Sequence, residues 1–146
     1  MNIFFDVDYT ILSMDGSLRP DTVLVFEHLI KDGHTIYIWS GQGLRWTEVK
    51  AHKLTTFVTD CFVKPLHQYS KSFANTNPKV WPDLVVDDYP EVASAFGGIW
   101  VKPYFFKNDT DKEMLLILEM IRDFHQTGSC DHKQFMKLGD SPYRRL

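Results

Sequence analysis

Apolar residues come in short runs, each closed by polar or turn-forming residues. The run that opens the chain predicts a strand over Ile3 to Val7. Its apolar residues are successive rather than alternating, as expected for a strand covered on both faces. Asp15-Gly16-Ser17-Leu18-Arg19-Pro20 is turn chemistry. Asp21 or Thr22 can cap a helix running to Lys31, with Val23, Phe26, Leu29 and Ile30 on its apolar face and Gly33 as its stop. Thr35 to Trp39 reads as a second strand, Leu44 to about Leu54 as a helix, and Cys61 to Val63 as a short third strand. Asp83 to Val86 is a fourth strand, followed by a helix that starts at Pro90 and ends before Gly97-Gly98. Ile99 to Val101 is a fifth. Asp111 to His125 predicts an amphipathic helix, with Met114, Leu115, Leu118, Ile121 and Arg122 near the helical period. Strand and helix alternate throughout, which implies parallel strands joined by right-handed crossovers in a three-layer α/β sandwich.

The length of 146 residues, 44% of them hydrophobic and 14% aromatic, fits one domain with a substantial core. The expected division is a core over residues 1–128 and a tail over 129–146, loose or docked. A net charge of −3 argues against a general polyanion binder. Cys61 and Cys130 are too far apart in sequence to form a metal-ligand pair, and reduced thiols in a cytoplasmic protein are the simplest reading. No stretch approaches the roughly 20 apolar residues that span a bilayer, and the opening apolar run lacks the form of a secretory leader.

The polar residues that close the runs are the informative ones. Asp6 and Asp8 follow the first strand, Ser40 the second, Lys64 the third, and Asp87 with Asp88 the fourth. In a parallel sheet these positions share one rim, where ligands bind. Acids that end a buried strand lose hydration, and a bound cation would compensate that loss. Read singly, each has an ordinary alternative: a solvated turn for Asp6 and Asp8, a helix cap for Ser40, a surface charge for Lys64. Lys71 and Lys79 are alternatives to Lys64.

In this order the residues resemble the four motifs of the haloacid dehalogenase-like hydrolase superfamily. The first is matched by Phe4-Phe5-Asp6-Val7-Asp8-Tyr9-Thr10 and the second by Ile36-Tyr37-Ile38-Trp39-Ser40. The third is matched by Lys64 in Val63-Lys64-Pro65 and the fourth by Leu84-Val85-Val86-Asp87-Asp88. The resemblance covers roughly Met1 to Val101. It implies a Rossmann-like sheet of about five parallel strands and a magnesium-dependent phosphatase. Asp6 would be the nucleophile that forms an aspartyl-phosphate, and Asp8 the general acid and base. Ser40, with the Gly41 and Gln42 amides at a helix start, would bind the phosphoryl group, and Lys64 would offset its charge. Asp6, Asp8 (through its backbone carbonyl), Asp87 and Asp88 would form the Mg2+ site, one of the last pair directly and the other through water or Lys64. Thr10 would brace the loop, and Tyr9, larger than the residue often found there, would narrow the pocket.

Neither Thr10 to Thr35 nor Ser40 to Lys64 is long enough to contain a cap domain, so the site should be open. By analogy, capless members suit phosphate on large partners or close the site as homo-oligomers. The substrate stays open between small molecule and macromolecule, with no membrane and no general nucleic-acid role. Two alternatives stand beside the phosphatase: a phosphate- or metal-responsive binding module without turnover, and a nucleic-acid end phosphatase. Trp39, Arg45 and Trp46 could contact a leaving group, although core packing accounts better for both tryptophans. His125, Cys130 and His132 lack the spacing of a zinc site.

Overall fold

The first, second and fourth apolar runs become strands inside a sheet, because both of their faces find cover. A computed structural model of the chain describes residues 1–140. Its elements are β1 (Asn2–Phe5), α1 (Thr22–Lys31), β2 (Thr35–Ser40), α2 (Trp46–Ala51), β3 (Val58–Val63) and α3 (Tyr69–Asn75), then β4 (Leu84–Asp87), α4 (Pro90–Phe96), β5 (Gly98–Trp100), α5 (Glu113–Thr127) and β6 (Phe135–Met136). The sheet order is β3-β2-β1-β4-β5-β6, parallel except for β6. This is a Rossmann-like α/β fold.

Successive residues of each central strand serve opposite cores. Ile3, Phe5, Ile36, Ile38, Leu84 and Val86 pack under α1, α2 and α5. Phe4, Tyr37, Trp39 and Val85 pack under α3 and α4 with Phe73, Val92 and Phe96. The second core is largely aromatic: Phe4 and Phe73 both present ring edges to Trp39, at 5.0 and 5.3 Å between centroids.

Several expectations are corrected. The sheet has six strands rather than about five, because residues from the expected tail add an antiparallel edge. Gly98 pairs with Met136 and Ile99 with Phe135, and the buried Gln134 side chain donates to Trp100 O and Glu113 Oε1 at 2.8 and 3.2 Å. The remainder of that tail, residues 141–146, lies outside the described residues. The apolar face of α1 is Val25, Phe26 and Leu29, whereas Val23 and Ile30 are exposed. Neither Asp21 nor Thr22 caps α1 with its side chain. Asp21 enters at φ 67°, and Thr22 lies inside the helix, its hydroxyl donating to Arg19 O. β3 begins three residues before Cys61 because an edge strand keeps polar residues, here Thr59 and Asp60, on its exposed positions.

Gly98 lies directly against the β4 backbone. A Cβ built there would stand 1.9 Å from Val85 O, so Gly98→Ala forces β5 off β4. The expected loss is about 3 kcal/mol of stability, read as a lower urea midpoint with unchanged slope.

His34 is buried, its ring edge-on to His125 at 4.7 Å. Burial foremost, together with neighbouring positive charge, holds its pKa below the ordinary 6.5. The unfolded chain therefore takes up a proton that the folded chain refuses, so stability is full above pH 6.5 and falls as pH drops below it. Thermal unfolding followed from pH 7.5 to about 5 should show this slope, and His34→Asn should flatten it.

Candidate functional site

β1 lies between β2 and β4, at the point where the strand order changes direction, and the carboxyl ends of these strands form the crevice that such sheets offer to ligands. Asp6 follows β1 directly, and its amide extends the ladder by donating to Val86 O at 3.0 Å. Lys64 follows β3, with its amide on Ser40 O at 2.9 Å. Asp87 ends β4. The Lys64 ammonium therefore reaches across β2 and donates to Asp6 Oδ1 at 2.9 Å and Asp87 Oδ2 at 2.8 Å. All three side chains are buried, Asp87 completely.

The loop after β1 holds Asp6 in place. The amides of Thr10, Ile11 and Leu12 all donate to Val7 O, and the Thr10 hydroxyl donates to Asp6 Oδ2 at 3.0 Å. Tyr9 takes the left-handed conformation at φ 65° that this coil requires, and its ring packs on Phe105 at 5.1 Å. Buried Arg19 donates to Thr10 O at 3.1 Å and grips both oxygens of Asp111 at 2.8 and 3.0 Å, which fixes the loop to the start of α5.

Asp6, Asp87 and Asp88 each offer a carboxylate oxygen within 4.8 Å of the others. Three acids face one ammonium. Burial first, and then the charge of Asp6, drives the Asp87 carboxyl well above the ordinary range. Burial and contact with Asp6 push Asp88 up to about 7. Burial works against the Lys64 charge, but Asp87 and Asp6 outweigh it and hold the ammonium above its usual value. Ionised together, the three acids would exceed the single charge of Lys64, and the raised Asp87 and Asp88 carboxyls reflect that excess. An all-oxygen donor set with this excess could hold a hard divalent cation such as magnesium. Asp87 spends one oxygen on Lys64 and the other on the Tyr89 amide at 2.9 Å.

Ser40 ends β2 and is buried. Its Oγ accepts from the Gln42 amide and from Arg45 Nη1, both at 3.1 Å, so its own hydroxyl hydrogen is left to donate. The expected helix start at Gly41 and Gln42 is corrected: α2 begins only at Trp46 and ends at Ala51. Gly43, at φ 109°, closes a turn onto Ser40 O and delays the helix, and Lys53, at φ 58°, follows its end. Ser40 is therefore no helix cap. A cleft of about 270 Å³ gathers Asp6, Asp8, Ser40, Gly41, Gln42, Lys64 and Asp88 along its wall.

Asp8 stands apart from the acid cluster. Arg45 grips it with both terminal nitrogens, at 2.6 and 3.0 Å, while Arg45 Nε meets Glu48 at 3.1 Å. Of the three residues flanking the second motif, Arg45 belongs to the site, whereas Trp39 is core and Trp46 packs against the core. Lys71 and Lys79 are exposed and line no part of the cleft. Tyr89 and Leu66, which also line it, carry no sequence signal beyond lying next to Asp88 and Pro65. Asp6, Asp87 and Asp88 form a candidate metal group among the described residues; His125, Cys130 and His132 do not. Burial raises the Cys61 thiol to about 11, which makes it a poor nucleophile.

Fold and site together define an α/β domain with a mostly parallel sheet and a buried acidic cluster that could hold a metal ion. Comparison with known proteins adds no relative: no family model, curated protein or solved structure matches the chain. Among the described residues, no helix is long and apolar enough to cross a membrane.

Proposed function

We propose that this chain is a capless, magnesium-dependent phosphomonoesterase of the haloacid dehalogenase-like type. The observation that carries the reading is the convergence of Asp6, Lys64 and Asp88 in one cleft, with Asp87 buried behind Lys64 and with Ser40 and Asp8 also lining it.

Asp6, Asp88 and the Asp8 backbone carbonyl would hold the cation. Asp87, both of whose oxygens are engaged, would orient Lys64. When bound, magnesium would screen the charge between Asp6 and the phosphate and act as a Lewis acid on a phosphoryl oxygen. Ser40 donates to another phosphoryl oxygen, and Lys64 offsets the charge gathered there. An Asp6 oxygen attacks phosphorus as the bond to the leaving oxygen breaks, and Asp8 gives that oxygen a proton. Water then attacks phosphorus, Asp8 takes its proton, and the bond to Asp6 breaks to release phosphate. The test is phosphate release from a generic aryl phosphate by purified protein. Release with magnesium that stops on chelation and returns on adding magnesium back supports the reading. No release, or release indifferent to chelation, refutes it.

One observation favours a second reading, a phosphate-responsive module without turnover. The two-nitrogen grip of Arg45 engages both carboxylate oxygens of Asp8, the atoms that would have to pass a proton to a leaving group. Stoichiometric phosphorylation of Asp6 by a small phosphodonor, with no repeated phosphate release, would select that reading.

A further inference from the structure

The cleft floor is charged, but its mouth is not. Leu66 is 73% exposed and leans over the turn after Ser40, so close that a Cβ on Gly41 would stand 2.6 Å from its Cδ2. Tyr89 is 59% exposed and lies with its ring 5.9 Å from the Lys64 ammonium. Tyr9 forms a third side and continues through its ring contact into half-exposed Phe105. Large apolar side chains left in water around a polar floor mark a recognition surface.

Charge narrows what this surface accepts. Lys64 is the one basic residue lining the cleft, and it is already shared by Asp6 and Asp87; Arg45, beside it, is committed to Asp8 and Glu48. Among the residues lining the cleft, no uncommitted cation is left for a second phosphate or a carboxylate. At about 270 Å³ the cleft lies near the small end of ligand pockets.

From these features we infer that the substrate is a monoester with a single phosphate whose leaving alcohol or phenol is uncharged and carries an aromatic ring, seated between Leu66, Tyr89 and Tyr9. A sugar phosphate would lay hydroxyls against apolar side chains, and a nucleic-acid end would bring further phosphates without partners. The inference deepens the phosphatase reading and rests on it for turnover, but the binding preference can be tested separately.

Benzyl phosphate and ethyl phosphate have alkoxide leaving groups of similar basicity, so their rates report recognition of the ring. With magnesium, kcat/KM is expected to favour benzyl phosphate by roughly tenfold or more. The ratio should fall several-fold in a Leu66→Ser/Tyr89→Ser double variant whose circular dichroism and melting match the parent. Hydrolysis of both esters at equal rates, or a ratio unmoved in the variant, overturns the inference. If neither ester is hydrolysed, the phosphatase reading is judged on the aryl phosphate, and titration calorimetry with benzylphosphonate and ethylphosphonate, which cannot turn over, decides the binding preference. Tighter binding of benzylphosphonate supports it; equal binding or none overturns it.

Discussion

Asp6→Asn is expected to lower phosphate release by about 10⁴-fold or more while leaving the protein as stable as the parent, or more so. Asn has the shape of Asp but lacks the anionic oxygen that attacks phosphorus in the proposed mechanism. Its carbonyl can still accept from Lys64, and its amide can donate to the Thr10 hydroxyl once that hydroxyl turns to accept. One negative charge leaves a buried group of three, so the mutual repulsion that raises Asp87 and Asp88 is relieved. Coupled loss of activity and retained or raised melting temperature would mark Asp6 as a functional residue kept at a cost to stability. Parent-like release from Asp6→Asn would sink the mechanism.

Lys64→Met should have the opposite signature. The ammonium is the one positive group between two buried carboxylates, and its removal leaves them uncompensated. Breaking one side of a buried ion pair costs about 3–5 kcal/mol. Urea unfolding should show a loss of that size, and the surviving folded protein should release no phosphate. Adding Asp87→Asn to Lys64→Met should restore part of the stability without restoring activity, because the second change removes an orphaned charge but not the need for a cation beside the phosphate. A Lys64→Met protein with parent stability would show that the ammonium is not part of the buried network.

What the sequence made legible follows from where strands end. Asp6, Ser40, Lys64 and Asp87 each sit at or just beyond an apolar run, so finding the runs also found the rim. Lys64 could be preferred over Lys71 and Lys79 on that ground, and the structure puts its ammonium between the two acids. Less was visible where position depends on reach rather than on strand ends. Arg45 enters the site because a long guanidinium arm turns back from the start of α2 to Asp8. α3 buries little beyond Phe73, too little for a periodic pattern. β6 is two residues long, below the length at which alternation can be seen, and it exists because β5 offers an edge. On α1 the pattern finds Phe26 and Leu29, while Val25 rather than Val23 or Ile30 completes the buried face, a choice among adjacent apolar residues that composition does not make. Leu66 and Tyr89 are ordinary loop residues until the fold stands them across a cleft.

The Arg19–Asp111 contact has a consequence for biosynthesis. These residues are 92 positions apart, so a nascent chain exposes its acid loop long before the partner that fixes it has been translated. Until Asp111 leaves the ribosome, the guanidinium that steadies the Thr10 carbonyl lacks the carboxylate that grips it in the folded chain. The acid loop is therefore anchored only after Asp111 has been translated, and a nascent chain that stops short of it would carry Asp6, Asp8, Asp87 and Asp88 without that anchor.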